Sequence, residues 1–215
     1  MAGSLLVLVG PSGAGKTTLA HRLIAARPGQ RGFSVSHTTR PIRATEQDGV
    51  DYQFVDRAAF LALRDAGGFA ESAEVHGNLY GTSKAEIDRL CGAGRDVMFD
   101  VDILGAHNLW RQYPVAARLV FVVPPSWREL VARLERRGSE TAATLGRRLR
   151  TARSELEALA NSDAPWWLVV NDEVDAAVAR LEAILVDPPP PPDATGSLLL
   201  GAFLRDCRAD SRAAP

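Results

Sequence analysis

Residues 5–17 constrain this chain most. Leu5-Leu6-Val7-Leu8-Val9 is a continuous apolar run, followed at once by Gly10-Pro11-Ser12-Gly13-Ala14-Gly15-Lys16-Thr17. The run reads as a strand buried on both faces, which places it inside a parallel sheet. The segment after it fits G-x-x-x-x-G-K-T/S in full, and residues 16–26 continue as a helix with Leu19, Leu23 and Ile24 on one face. Glycines let backbone N–H groups converge on phosphate oxygens, and the helix N-terminus adds a positive dipole end. Lys16 has the reach and charge for the β/γ-phosphates, and the Thr17 hydroxyl suits Mg²⁺. Gly10 to Thr18 is therefore the expected triphosphate site. By itself the pattern does not separate a kinase from a GTPase or an ATPase.

The rest of the chain repeats the strand–helix theme. Val97-Met98-Phe99, Leu119 to Val123 and Leu168 to Val170 read as further strands. Residues 57–66, 127–137, 141–160 and 174–185 read as helices, the third with Leu145, Leu149, Ala152, Leu156 and Leu159 at helical spacing. The alternation predicts an α/β fold of three layers, a central parallel sheet flanked by helices. Five prolines at 188–192 break the pattern and predict a stiff spacer, so 187–215 reads as a disordered proline-rich tail outside a domain spanning 1–186. That tail is the feature that would suit a protein partner.

Composition narrows the class. A net charge of −1 over 215 residues argues against nucleic-acid binding. No apolar run nears the roughly 20 residues of a membrane span, and the first is too short for a signal-peptide core. Two distant cysteines, Cys91 and Cys207, make neither a disulfide framework nor a zinc site, which suggests a reducing, cytoplasmic setting. Among 25 basic residues only Lys16 and Lys84 are lysine. A compact ammonium on a flexible stem fits a phosphate loop where a guanidinium fork would crowd it. Lys84 reads as ordinary surface.

Three further motifs occur in order. Residues 36–54 read S-x-T-T-R-x-x-R-x-x-E-x-x-G-x-D-Y-x-F, residues 73–82 read A-E-V-H-G-N-x-Y-G-T, and residues 100–106 read D-x-D-x-x-G-A. With the phosphate loop, these resemble the guanylate kinase family over about residues 4–185. The resemblance implies a Mg²⁺-dependent transfer of the ATP γ-phosphoryl group to GMP or dGMP, by a monomer or homodimer. It implies a core (1–32, 84–125 and 161–186), a small mixed-strand GMP-binding region (33–83) and a helical lid (126–160). Arg40, Arg43, Tyr52 and Tyr80 then hold the GMP phosphate. Glu71 and Asp102 read guanine, with Ser36 and Thr82 nearby. The chemistry is apt: arginine forks suit phosphate, and guanine's N1–H and N2–H₂ donors want carboxylate partners. Asp100, at a strand end, is the metal candidate beside Thr17, and Asn171 joins the ATP set. Arg133, Arg137 and Arg148 become lid arginines that stabilise charge on the transferring group. Arg136, Arg147, Arg150 and Arg153 read as a solvated face, paired with Glu135, Glu140 or Glu155.

The sequence departs from the family pattern at Thr45, where a glycine is usual, at Ser72, and at Ala164-Pro165-Trp166-Trp167, whose tryptophans could pack on the core or on the adenine side. Two other readings compete. A kinase of a phosphorylated sugar on the same scaffold should lack Glu71 and Asp102. A non-catalytic binding module should have a degraded phosphate loop. Both expectations run against the residues present.

Overall fold

The computed structural model describes residues 3–44, 46–75, 77–136, 142–194 and 197–214. Thr45, His76, Arg137 and Glu140 lie outside the described residues. The chain order is β1 (Leu5–Val9), α1 (Lys16–Ala26), β2 (Arg31–Phe33), β3 (His37–Thr38), β4 (Gln53–Phe54), α2 (Arg57–Asp65), β5 (Phe69–Val75) and β6 (Asn78–Ser83). It continues through α3 (Lys84–Gly92), β7 (Asp96–Asp100), α4 (Ile103–Gln112), β8 (Ala117–Val123), α5 (Trp127–Arg136), α6 (Ala142–Ala160), β9 (Trp166–Val170), α7 (Val174–Leu185) and α8 (Leu198–Ala209).

Strands β2-β7-β1-β8-β9 form a five-stranded sheet in that order, and every adjacent pair is parallel. All five residues of β1 are buried, as a strand covered on both faces must be. Its side chains alternate between two cores. Leu5, Val7 and Val9 join the core under α3–α6 and α8, while Leu6 and Leu8 join the core under α1 and α7. The same alternation splits the tryptophan pair: Trp166 enters the first core and Trp167 the second. Both are core residues, at 1% and 4% exposure, so neither faces a nucleotide. Their indole N–H groups donate to Ser162 Oγ (2.9 Å) and to the Pro190 carbonyl (2.8 Å).

A second, mixed sheet runs β4-β3-β6-β5. Its strands β3 and β4 have two residues each, and among the described residues its own core holds just Phe60, Phe69 and Leu79 as buried hydrophobics. It is therefore the weaker unit.

The C-terminal segment differs from the disordered tail expected of it. Residues 187–194 run back along the edge strand β9, where the Asp193 and Ala194 amides donate to the Trp166 carbonyl at 3.1 and 3.0 Å. Ser197 then caps α8, accepting from the Leu200 amide, and Leu200, Phe203 and Cys207 are buried against α5 and α6. These three residues fall at i, i+3 and i+7, an apolar helical stripe that the preceding prolines obscure. A final 3₁₀ turn, Ser211–Ala213, carries Arg212, which reaches Glu135 on α5 at 3.2 Å. The segment thus fastens the sheet edge to the helices above the phosphate loop.

Candidate active site

The phosphate loop is built by backbone constraint. Gly10 has φ +138°, and a Cβ there would stand 2.2 Å from the Val122 carbonyl oxygen. Gly15 has φ +91°, and a Cβ there would stand 2.2 Å from Asn171 Nδ2. Both positions therefore require glycine. Gly15 leaves the α1 N-terminus without a side-chain cap, so its N–H groups stay available to an anion. Asn171, expected among the ATP contacts, is buried behind the loop. Its Nδ2 donates to the Ala14 carbonyl at 2.7 Å, and its own amide donates to Val123 at 2.7 Å. It props the loop from below.

Gly10, Pro11, Ser12, Gly13, Gly15 and Lys16 line a cleft of about 350 Å³, with Thr17 and Thr18. Ala14 is fully buried and serves through its carbonyl. Lys16 Nζ donates to the Gly10 carbonyl (2.6 Å) and sits 3.6 Å from Asp100 Oδ1. The Thr17 hydroxyl donates to Asp100 Oδ2 at 3.3 Å. Arg148 reaches the loop from α6, donating to Ser12 Oγ at 2.9 Å. Arg133 is engaged instead by Glu129, one turn away on α5, at 2.9 Å.

Asp100 also lines the neighbouring cleft of about 240 Å³, with Ser36, Tyr52, Glu71, Tyr80 and Asp102. Strand β7 ends at Asp100, so its carboxylate forms the wall between the two clefts. Glu71, on β5, is nearly enclosed, and burial pushes its carboxyl above the usual range, with Asp102 adding to the push. Thr82, across on β6, donates to Glu71 Oε1 at 2.6 Å and opposes that rise. Thr82 is fully buried and orients Glu71 from behind the cleft wall. Ser36 Oγ lies 3.5 Å from the Thr82 hydroxyl. Asp102 also starts the next helix, since its Oδ1 accepts from the Gly105 amide at 2.7 Å and caps α4. A Cβ on Gly105 would approach Glu71 Oε2 to 3.0 Å and Asp102 Oδ1 to 3.3 Å, so a glycine keeps the two carboxylates' space clear.

The arginines of the second motif are held at the edge of this cleft by Glu46. Arg40 donates to Glu46 Oε1 at 2.8 Å and lies over Tyr52, 5.4 Å from the ring centre. Glu46 Oε2 accepts the Arg43 amide at 2.9 Å, while the Arg43 side chain is exposed, 3.8 Å from Glu46. The Arg40 bond holds the Glu46 carboxyl below the usual range. Tyr52 and Tyr80 meet edge-to-face at 5.9 Å.

Known proteins share this arrangement's sequence and fold. The family model for guanylate kinase matches residues 2–187. The guanylate kinase of Nitratidesulfovibrio vulgaris is 48% identical over 93% of this chain and 94% of that protein. The chain belongs to the guanylate kinase family. The guanylate kinase of Nocardia farcinica is 47% identical over 86% of this chain and 94% of that protein. Among solved structures, guanylate kinase from Anaplasma phagocytophilum aligns with a TM-score of 0.66 and 27% identity, over 99% of this chain and 97% of that one. The chain is thus an enzyme of the nucleoside monophosphate kinase class, and the sugar-kinase and binding-module readings are not favoured.

Two site residues carry no role in the sequence reading. Glu46 lies within the 36–54 motif, but nothing in the spacing marks it as the partner of both arginines. Glu155 reads from sequence as part of a solvated arginine face. The structure puts it instead in the triphosphate cleft with Thr151. Burial, helped by Asp102 and Asp100 and opposed by Lys16, pushes its carboxyl up to about 7. Arg148, Thr151 and Glu155 recur at i, i+3 and i+7, a polar stripe on α6 beside the apolar one. That spacing is the signal the sequence offers.

Proposed function

We propose that the chain transfers the γ-phosphoryl group of ATP to GMP or dGMP, giving ADP and GDP or dGDP. The observation that carries this is the shared wall: Asp100 lines both the phosphate-loop cleft and the cleft bearing Glu71 and Asp102. Two anionic substrates in these clefts meet end to end. The bond from Pγ to the β,γ-bridging oxygen breaks, and a bond from a GMP phosphate oxygen to Pγ forms. Lys16 and Arg148 face the triphosphate side and stabilise charge on the transferring group, and no strong general base is required. Arg40 and Arg43 exchange Glu46 for the GMP phosphate, where tyrosine hydroxyls Tyr52 and Tyr80 add donors. Glu71 and Asp102 accept from guanine N1–H and N2–H₂. Adenine would set an N1 lone pair against a buried carboxylate, so AMP is rejected.

The donor set fits Mg²⁺. Thr17 and Asp100 present hard oxygens 3.3 Å apart on the loop cleft. Among the described residues no group of three acidic or imidazole side chains could enclose a metal, which suits an ion carried in largely by the triphosphate. When bound, the ion offsets phosphate charge as it develops. No helix among the described residues is long and apolar enough to cross a membrane.

A coupled ADP-release assay with GMP, dGMP, AMP, UMP and ribose 1,5-bisphosphate tests this reading. Turnover with the guanine nucleotides alone is expected. Turnover with the sugar phosphate and none with GMP would overturn it.

A further inference from the structure

Glu155 projects from α6 into the triphosphate cleft, which it lines with Lys16, Thr17 and Asp100. Its Oε2 is closed off from solvent and has no hydrogen-bond partner among the described residues. An unpaired buried carboxylate oxygen is costly, and Asp100 and Asp102 add like charge from β7 and the α4 cap. A triphosphate entering the same cleft worsens the conflict. Two chemistries resolve it. A proton on Glu155 would let it donate to a phosphate oxygen. Alternatively, the carboxylate accepts hydrogen bonds from water on the cation that accompanies the triphosphate.

The second fits the surroundings better. Magnesium held by few protein ligands keeps several waters, and these are donors that need acceptors. Thr17 and Asp100 stand where an inner contact belongs. Glu155 and those oxygens form no enclosing metal cluster, so Glu155 fits the outer position. Cationic charge also relieves the repulsion among the three carboxylates.

We propose that Glu155 is a positioning residue that accepts hydrogen bonds from the water shell of the triphosphate-bound divalent cation, tying helix α6 to the metal. This rests on the Mg²⁺-ATP reading above. Helix α6 also carries Arg148, already bonded to Ser12. The tether therefore draws α6 onto the loop when metal-loaded nucleotide is present, and bare ATP lacks that pull.

The test is calorimetric titration of the full chain with ATP, in Mg²⁺ and in a chelator, for the wild type, Glu155→Gln and Glu155→Asp. The wild type should bind ATP more tightly with Mg²⁺. Glu155→Gln should lose about tenfold of that gain and bind metal-free ATP as well or better, because a repulsive charge is gone. Glu155→Asp keeps the charge, and an extra water spans the shorter reach, so it should recover most of the gain. Glu155→Gln should melt at or above the wild-type temperature, since the unpaired buried charge is gone. A glutamine variant that keeps the full metal-dependent gain overturns the proposal, because its amide can replace a protonated acid as donor to phosphate. Equal losses in both variants overturn it too, because charge is then not the determinant. A wild type indifferent to Mg²⁺ would defeat the metal-dependent reading itself and the proposal with it.

Discussion

The two anion sites of this molecule are made differently. The triphosphate loop is backbone, gripped between β1, β8 and β9, with every residue of β1 buried and Asn171 bonded beneath it. The monophosphate cradle is side chain, hung on strands of two residues, with Arg40 bonded to Glu46 and stacked on Tyr52. One site is finished before its ligand arrives. The other holds its cations in internal pairs and must exchange them. The difference follows from what each site must recognise. Phosphate oxygens accept from any N–H, so a nest of amides suffices. Guanine has to be told from adenine, and only side chains with a donor–acceptor pattern can do that.

The sharpest way to break the comparison is at Lys16, a side-chain cation that belongs to the loop's own run of residues. Lys16→Met should lower kcat by about 10²–10³-fold, the scale of removing a key transition-state donor. Melting should stay near the wild type, because the loop's geometry rests on glycines and Asn171. Steady-state rates with a thermal melt check both halves. Glu71→Gln strikes the other site. An amide in place of the carboxylate turns an acceptor toward guanine into a partial donor, so kcat/KM for GMP should fall about 10²-fold. Affinity for ATP should hold within about twofold, and equal damage to both substrates would erase the distinction between the sites.

Glu46→Gln sharpens the comparison further. Glu46 orders Arg40 through its side chain and Arg43 through its amide. Losing the charge weakens both bonds. The KM for GMP should rise about tenfold with kcat little changed. Hydrogen exchange should quicken over residues 36–54 and stay unaltered over 10–18. A loop that loosened as well would mean the two sites are one cooperative unit.

How well each region could be read from sequence follows the same division. The loop is legible because a backbone nest is written in contiguous residues: an apolar run, glycines at fixed spacing, a lysine. The central strands β1, β7 and β8 are legible as apolar runs for a similar reason. Edge strand β2 is not, because it begins with Arg31, a residue that looks solvated. Arg31 is buried because Glu182, far along the chain on α7, meets it with two bonds of 2.6 Å and the Leu23 carbonyl accepts another at 2.9 Å. Long-range pairing of that kind leaves no local mark. Glu155 is hidden likewise, since its place in the cleft depends on how α6 crosses the loop. Asn171 and Thr82 sit in recognisable motifs, yet the sequence cannot say that they support the site from behind rather than touch a ligand. Helix α8 is the plainest loss. Its stripe of Leu200, Phe203 and Cys207 is present, but five prolines before it suggest a chain that never returns.

That returning segment gives the last and smallest expected effect. It supports the loop side of the molecule and leaves the cradle alone. Asp210 accepts from Trp127 Nε1 at 3.0 Å and from Arg212 at 2.9 Å. Trp127 opens α5, whose Leu130 and Leu134 pack on Gly13 of the loop. The Arg212 pair, aided by Trp127 and opposed by burial, holds the Asp210 carboxyl down at about 2, against an ordinary value of 3.8. A carboxyl depressed on folding stabilises the folded state above its unfolded value and loses that stabilisation as pH falls toward the folded one. The contribution is therefore complete above about pH 4 and fades between 4 and 2. After discounting for solvent screening of the arginine pair, it is about 1 kcal/mol, or roughly 2–4 °C of melting temperature for a chain of this length. Asp210→Asn should melt lower than the wild type by that margin at neutral pH. The gap between the two melting curves should shrink as pH drops through about 2, where the folded Asp210 carboxyl takes up its proton. GMP affinity should not change at any pH where the protein is folded. A gap that persists unchanged to pH 2 would mean that hydrogen-bond shape, and not the carboxylate charge, holds the C-terminal turn against α5.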